Sequence, residues 1–494
     1  SGTDWLGFDN GFRALPSGFP SRLPDNTASE SMLNLTRQLD NNFVASQSNA
    51  FPDVRFNAAL GRRFGIGGLA VSNITSVNYS LSSQFYNADR NLYQQFNPAL
   101  GRSEPLFQYN DDFYERNARL GVIHNWRFAF DPRNIVEFRN LFNQIGDNET
   151  VLRRGAVPIQ RPEPFQNYGY RYLSRSIYSG QLQGTHKLND EKSTLTWVLG
   201  GNYINRNEPD FRRFRTVRAG VESGPFLNVL PPGGSLFDNS RFYSRLNEYS
   251  LSHRIDYERK LGKGGDSANA FLFQAGYFVE YRSRRFDARY LSYTIRNSDL
   301  SSEQIDSVRA LPIDQFFSPA NIGRNLLTLS ETTNPSDSYT GSNLLTAGYA
   351  SMSVPLNRFY LSGGLRLEFN RQQLNSFDNA NRPINVDNPI LAPLPFFNVS
   401  YNLNKRSLLR LAYSRTVNRP EFRELAPFLY YDFVTETTVQ GNPNLDMARI
   451  HNVDLRYEFY PRPGETISLA AFYKNFSRPI ESILGVASDG QIPV

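Results

Sequence analysis

The chain has 494 residues, a net charge of +6, a hydrophobic fraction of 39% and no cysteine. The missing thiols exclude disulfides, thiol catalysis and Cys-ligated metals. Lys and Arg are interspersed with Asp and Glu rather than clustered, which argues against nucleic acid as a partner. No run of about 18 apolar residues exists, so no membrane helix is available. A β-barrel stays open, because its lipid-facing and lumen-facing residues alternate and average to a polar composition.

In chain order, Ser1-Gly2-Thr3-Asp4 has none of the charged and apolar character of a signal peptide. In Ser29–Asn42, Met32, Leu35 and Leu39 follow a polar start at helical spacing, which predicts a short loop helix. A first strand, Asp53–Phe64, runs into the tight turn Gly65-Ile66-Gly67-Gly68. Leu120, Val122, Trp126, Phe128 and Phe130 share one face before Asp131-Pro132-Arg133-Asn134, and Ile135 to Ile145 return from that turn. Leu195, Trp197, Leu199 and Tyr203 follow the turn Asn189–Lys192. Two longer strands, Tyr243–Leu261 and Ala270–Tyr290, flank Gly262–Ala268.

Further on, Phe359, Leu361, Leu365, Leu367 and Phe369 alternate with Tyr360, Ser362, Arg366, Glu368 and Asn370. Phe397, Val399, Tyr401 and Leu403 enter the turn Asn404-Lys405-Arg406-Ser407; Leu409, Leu411, Tyr413 and Val417 leave it. In Asn452–Tyr460, Val453, Leu455, Tyr457 and Phe459 alternate with polar residues. After Pro461-Arg462-Pro463-Gly464 the last strand, Thr466–Phe476, continues the scheme. The terminal Gln491-Ile492-Pro493-Val494 is not an aromatic-ended strand, so a chain cut at both ends is expected.

A period of two with one apolar and one polar face defines half-exposed strands. Very short turns on one side and polar stretches of roughly 20–50 residues on the other are foreign to compact soluble domains. They are the pattern of an antiparallel, up-and-down transmembrane β-barrel with short periplasmic turns and long extracellular loops. The fold class is therefore all-β, with about fourteen strands in seven hairpins. If the whole barrel has about 22 strands, as plugged transporters do, one strand precedes this chain and seven follow it. Residues 1–494 are then the central part of one barrel domain, with the plug domain and the closing strands absent. The sequence aromatics, 38 Phe and 27 Tyr, suit strands and membrane interfaces.

Chemistry is sparse. His124, His253 and His451 fall in phase with apolar faces and do not converge on carboxylates; with His186 they are the only histidines. No Gly-x-Ser-x-Gly, Walker or His-Glu-x-x-His motif occurs, so no catalytic, metal or cofactor site is expected. Asp111-Asp112 reads as a solvated or lumenal pair where a loop meets a strand. Arg415 lies in phase with Leu411 and Tyr413 but toward the loop end, where an outward cation costs about 0–1 kcal/mol rather than the 2–4 of mid-membrane. Denser motifs begin two loops: Asn207–Arg213, with Glu208, Asp210, Arg212 and Arg213, and Arg419–Phe428, with Arg419, Glu421 and Arg423, followed by Tyr430 and Tyr431. Arg–carboxylate pairs among aromatics fit a rigid loop network or ligand contact.

At these residues the sequence resembles a TonB-dependent outer-membrane receptor of the Bacteroidota type. The matching segments are Asp4–Gly7 with Gly11–Pro16, Glu208–Arg213, Gly363–Glu368, Arg419–Pro427, and the run from Gly441-Asn442-Pro443-Asn444-Leu445 through Asn452–Glu458 to Phe472-Tyr473-Lys474. The resemblance implies energised uptake and no catalysis. A plug fills the barrel, a small-molecule, glycan or peptide ligand binds at the outer face, and TonB pulls on a periplasmic segment. Expected partners are outer-membrane lipid, TonB through a segment absent from this chain, and a surface lipoprotein. The rival readings are a passive porin, and an adhesin or assembly-scaffold barrel without active transport.

Overall fold

The computed structural model describes residues 1–157, 161–188, 192–218, 223–262, 270–295, 301–323, 326–434 and 437–483. The strands are β1 (Val54–Ile66), β2 (Leu69–Tyr93), β3 (Pro105–Ala129), β4 (Asn134–Val157), β5 (Arg161–Lys187) and β6 (Ser193–Arg218). There follow β7 (Phe226–Asn228), β8 (Ser240–Leu261), β9 (Phe271–Ile295), β10 (Leu327–Glu331), β11 (Ser338–Leu356) and β12 (Phe359–Phe377). The last are β13 (Pro383–Asn404), β14 (Ser407–Asn418), β15 (Leu429–Asp432), β16 (Thr437–Gln440), β17 (Ala448–Phe459) and β18 (Ile467–Ser477). Short helices are α1 (Glu30–Arg37), α2 (Ser302–Arg309), α3 (Ile313–Phe316) and α4 (Phe422–Leu425).

Fourteen strands form one antiparallel meander, β1-β2-β3-β4-β5-β6-β8-β9-β11-β12-β13-β14-β17-β18, with β7 added to β6 and β10 to β9. The expected hairpins are present. Gly67 and Gly68 turn at φ +55° and +86°, conformations that favour glycine. The Asp131 carboxylate accepts from the backbone N–H of Arg133 and Asn134. The turn at 189–191 and the segment 263–269 lie outside the described residues. The helix expected in Ser29–Asn42 is α1, with Ser29 as N-cap accepting from the Met32 N–H.

The strands are longer than the sequence pattern suggested. β5 has 27 residues and β2 and β3 have 25 each, whereas about 9–11 cross a membrane. Their outer parts are built from residues expected to be loop. Asn207–Arg213 lies inside β6, and Asp111-Asp112 lies inside β3. The reason is that ladder pairing needs no apolar face once the strand has left the lipid. β2 and β3 stay paired as far as Tyr93 and Pro105. Long connections do occur, at 219–239, 296–337 and 419–447, but β12 and β13 are joined by 378–382 alone.

The two faces differ as the alternation requires. On β12, Leu365, Leu367 and Phe369 are exposed while Glu368, Asn370 and Gln372 are buried. Leu251 and Leu391 are 69% and 66% exposed on well-paired strands, which a water-facing surface would not favour and a lipid-facing one requires. On the opposite face, residues as distant along the sheet as Phe113 of β3 and Val386 of β13 join one hydrophobic cluster through the 419–447 segment. Only the inner side of a curved sheet lets such strands meet, so this face is the lumenal one. A second cluster lies on the outer face. There Leu33, Leu39 and Phe43 pack on Phe214, Leu291 and Tyr293, with Phe316 and Phe317 beside them. The N-terminal segment therefore clads the outer wall above the apolar band. Trp5 meets Tyr79 edge-on, and the Gly7 carbonyl accepts from Ser174 Oγ at 3.0 Å.

Candidate functional site

The segment after β14 folds down into the lumenal mouth. Arg366 and Arg419 both bind the Glu368 carboxylate, Arg366 through Nε at 2.6 Å. Gln372 Nε2 donates to the Pro420 carbonyl at 2.8 Å. Glu421 is the N-cap of α4, and its backbone N–H donates to the Glu424 carboxylate at 2.8 Å. Phe422 is fully buried against Gly341, where a Cβ would come within 2.7 Å of its ring. A side chain at position 341 would force the Phe422 ring to shift.

The β15–β16 hairpin then crosses to the far wall. Its tip residue Phe433 lies on Gly169 of β5, where a Cβ would come within 2.9 Å of the ring. Arg153 of β4 donates through Nη1 to the Phe433 carbonyl at 2.9 Å and through Nη2 to the Val434 carbonyl at 2.7 Å. The same guanidinium grips Asp111 of β3 bidentately, with both bonds at 2.7 Å. Both side chains are fully buried. Of the two readings offered by the sequence, solvated or lumenal, Asp111 takes the lumenal one, but buried rather than wet. It is the anchor that fixes the arginine holding the hairpin. Arg153 stands directly opposite Asp111, a pairing legible only once the β3–β4 register is known.

The nine residues singled out in the sequence do not form one constellation. A register shift in the β6–β8 pairing between Glu208 and Phe211, with Asp210 at φ +55°, changes the phase of β6. Glu208 and Arg213 face the lumen; Asp210 and Arg212 face outward. Glu208 is fully buried and binds Arg171 Nε at 2.6 Å and Arg206 Nη2 at 2.7 Å. Burial pushes its carboxyl up, and the two guanidinium groups outweigh that and hold it below the usual range. Asp210 instead accepts from Arg241 Nε at 2.7 Å and Tyr243 Oη at 3.0 Å. Arg212 reaches Asp40 at 3.0 Å and ties down the N-terminal segment. Arg13, Tyr170, Tyr172, Asp210 and Arg212 border a groove of about 760 Å³ on the outer face.

Arg213, Arg423, Tyr430 and Tyr431 do come together. Arg213 lies 5.1 Å from the Tyr431 ring centroid, 5.9 Å from that of Tyr290 and 5.0 Å from that of Phe211. Arg423 lies over Phe428 at 4.8 Å and Tyr430 at 5.8 Å, and donates to the Phe428 and Val439 carbonyls. Burial pulls both guanidinium groups below their ordinary range. It pushes the Tyr430 phenol up. Glu421 is the outlier: its exposed carboxylate comes only within 4.0 Å of Arg284. The sequence missed Arg171 and Arg153, which sit in strands with no motif around them.

His124, His253 and His451 sit as expected on the outer face, His186 joins them there, and each lies against an aromatic. Trp126 Nε1 donates to His124 at 2.8 Å and Trp197 Nε1 to His186 at 3.0 Å. His253 and His451 pair with the Tyr277 and Tyr413 hydroxyls at 2.8 and 3.0 Å. Arg415 lies opposite His451 near the outer end of β14. Among the described residues no group of carboxylates and histidines could hold a metal ion.

Residues 323–492 match the model of the outer membrane protein beta-barrel family. No curated protein matches the chain. Among solved structures, the unliganded ferric citrate transporter FecA is 12% identical with a TM-score of 0.43, covering 87% of this chain and 52% of that one. The siderophore receptor PiuA from Acinetobacter baumannii is 10% identical with a TM-score of 0.43, covering 86% and 57%. The ferric yersiniabactin uptake receptor FyuA from Yersinia pestis is 12% identical with a TM-score of 0.38, covering 87% and 55%. This chain thus spans about half the length of these structures. With its lipid-exposed strand face and antiparallel meander, the chain is the strand array of a bacterial outer-membrane β-barrel.

Proposed function

We propose that this chain is the central barrel portion of a TonB-dependent transporter, which binds a nutrient ligand at its extracellular mouth for energised uptake and performs no catalysis. The observation that carries the reading is the folding of 419–447 into the lumen, where Phe422 and Phe433 dock on opposite walls. A connection that packs across the lumenal face as an aromatic cluster supports ligand binding there over an open diffusion path. The same segment carries the sequence resemblance, in Arg419–Pro427 and Gly441–Leu445. In the complete protein, further strands pair with β1 and β18, a plug fills the lumen, and TonB engages from the periplasm. A surface lipoprotein partner fits the tall outer wall. The ligand class at this level is a siderophore, haem, glycan or peptide.

The test is deletion of Arg419–Phe428 from the full-length receptor. The barrel is expected to insert and to migrate as a folded species, while ligand uptake and binding fall at least tenfold. Unchanged binding by the inserted variant would remove this segment from recognition. Liposome swelling by neutral sugars through the wild-type protein, without any energy source, would replace the transporter by a porin.

A further inference from the structure

The β15–β16 hairpin covers a guanidinium that, among the described residues, hydrogen-bonds to no carboxylate through Nε or Nη2. Arg213 is 1% exposed, and its Nε and Nη2 find no hydrogen-bond partner. The lumenal carboxylate next in the strand, Glu208, is already held by Arg171 and Arg206. Arg423, across the cluster, spends its Nη atoms on two backbone carbonyls of its own segment. What surrounds Arg213 is aromatic: Phe211 and Tyr290 from the wall, Tyr431 from the hairpin. Ring faces attract a cation, and Glu208 attracts it from a distance, but buried N–H donors left without an acceptor stay unfavourable. A chain would retain such a group where something else supplies the missing acceptors.

We propose that the seat now filled by the Tyr430-Tyr431 side of the hairpin belongs to an aromatic carboxylate. The planar fork of Arg213 matches a carboxylate through its two unused N–H groups. With the hairpin lifted, Phe211 and Tyr290 remain on the wall to stack against the ligand ring, in the place that Tyr431 holds when the mouth is closed. The hairpin is then a resident substitute whose aromatic ring mimics the ligand but brings no charge, so the ligand displaces it. This deepens the transporter reading and rests on it for the location of the ligand at the lumenal mouth.

The probe is 4-hydroxybenzoate, with uncharged 4-hydroxybenzamide as its partner, titrated calorimetrically into the full-length protein in detergent. Saturable binding of the benzoate is expected, with the benzamide at least tenfold weaker. Arg213→Met should weaken the benzoate at least tenfold. Arg371→Met, on the outer face where Arg371 pairs with Asp387 at 2.6 Å, should leave it unchanged. Arg213→Lys keeps the charge without the fork and serves if the methionine variant does not insert; it should bind severalfold more weakly than wild type. Benzoate should also expose the hairpin to protease cleavage. Equal binding of the two probes, no saturable binding, or full binding by the Arg213 variants would overturn the site. If energised uptake fails while Arg213-dependent benzoate binding holds, the transporter reading falls and this site stands.

Discussion

Arg153 carries two duties with one side chain: it neutralises Asp111 and holds the carbonyls at the hairpin tip. Removing one partner of a buried ion pair costs about 3–5 kcal/mol when nothing replaces it; here Arg90 Nε also donates to Asp111 at 3.0 Å, so the loss falls mainly on the Phe433 and Val434 carbonyls. Arg153→Met is therefore expected to release the β15–β16 hairpin, read as a large loss of amide-exchange protection over 429–434, while the strands nearer the membrane keep theirs. Asp111→Asn should act more weakly, since Arg153 retains the carbonyls. A second residue-scale effect depends on pH. Burial raises the Asp337 carboxyl from 3.8 to about 6 in the extracellular connection before β11. The folded segment then binds the proton more tightly than the unfolded chain. Its contribution is fully present below about pH 4 and is lost as pH rises through 6, up to roughly 3 kcal/mol. Local opening around Asp337 should be more frequent at pH 7 than at pH 5, and Asp337→Asn should flatten that difference in exchange measured against intrinsic rates. Neither role was legible in the sequence. Asp111 looked like one of many polar strand residues, and Asp337 has no motif around it.

At the scale of elements, close approach decides where the 419–447 segment lies. Gly169 and Gly341 are the two floors on which Phe433 and Phe422 rest. Gly169→Val is expected to evict Phe433 from the β5 wall without disturbing strand pairing, because the new side chain points to the lumen and its backbone stays in register. Limited proteolysis should then cut within 429–440, while the folded, heat-modifiable band of the full-length protein persists. Persistence of both the band and full protease resistance would show that the docking does not depend on that contact. The strands themselves were legible, since the alternation in Phe359–Phe369 and Asn452–Tyr460 needs only local sequence. Their outer halves were not. Beyond the lipid there is no apolar face to mark a strand, and the β6 bulge that sends Glu208 and Asp210 to opposite faces exists only against β8.

At the scale of the whole molecule, the meander runs from β1 to β18, and among the described residues neither edge strand is paired on its outer side. Lipid cannot satisfy unpaired backbone N–H and C=O groups. Expressed as these 494 residues alone, the chain is expected to accumulate as aggregate rather than as a heat-modifiable outer-membrane species. A folded, membrane-inserted monomer of this chain would mean that β1 and β18 find each other.

Local chemistry in the sequence determined the strand class, the tight turns, the helix capped by Ser29 and the outward-facing histidines. Each of these depends on a period of two, a turn residue or a cap, and each acts over a few neighbours. Only the tertiary structure decided which residues of Glu208–Arg213 look inward, that residues 1–50 clad the outer wall, and that the 419–447 segment crosses the mouth to meet Arg153. Those placements join residues hundreds of positions apart. They rest on register, on one bulge and on glycine floors beneath aromatic rings, whose effect appears only when the partner strand is in place.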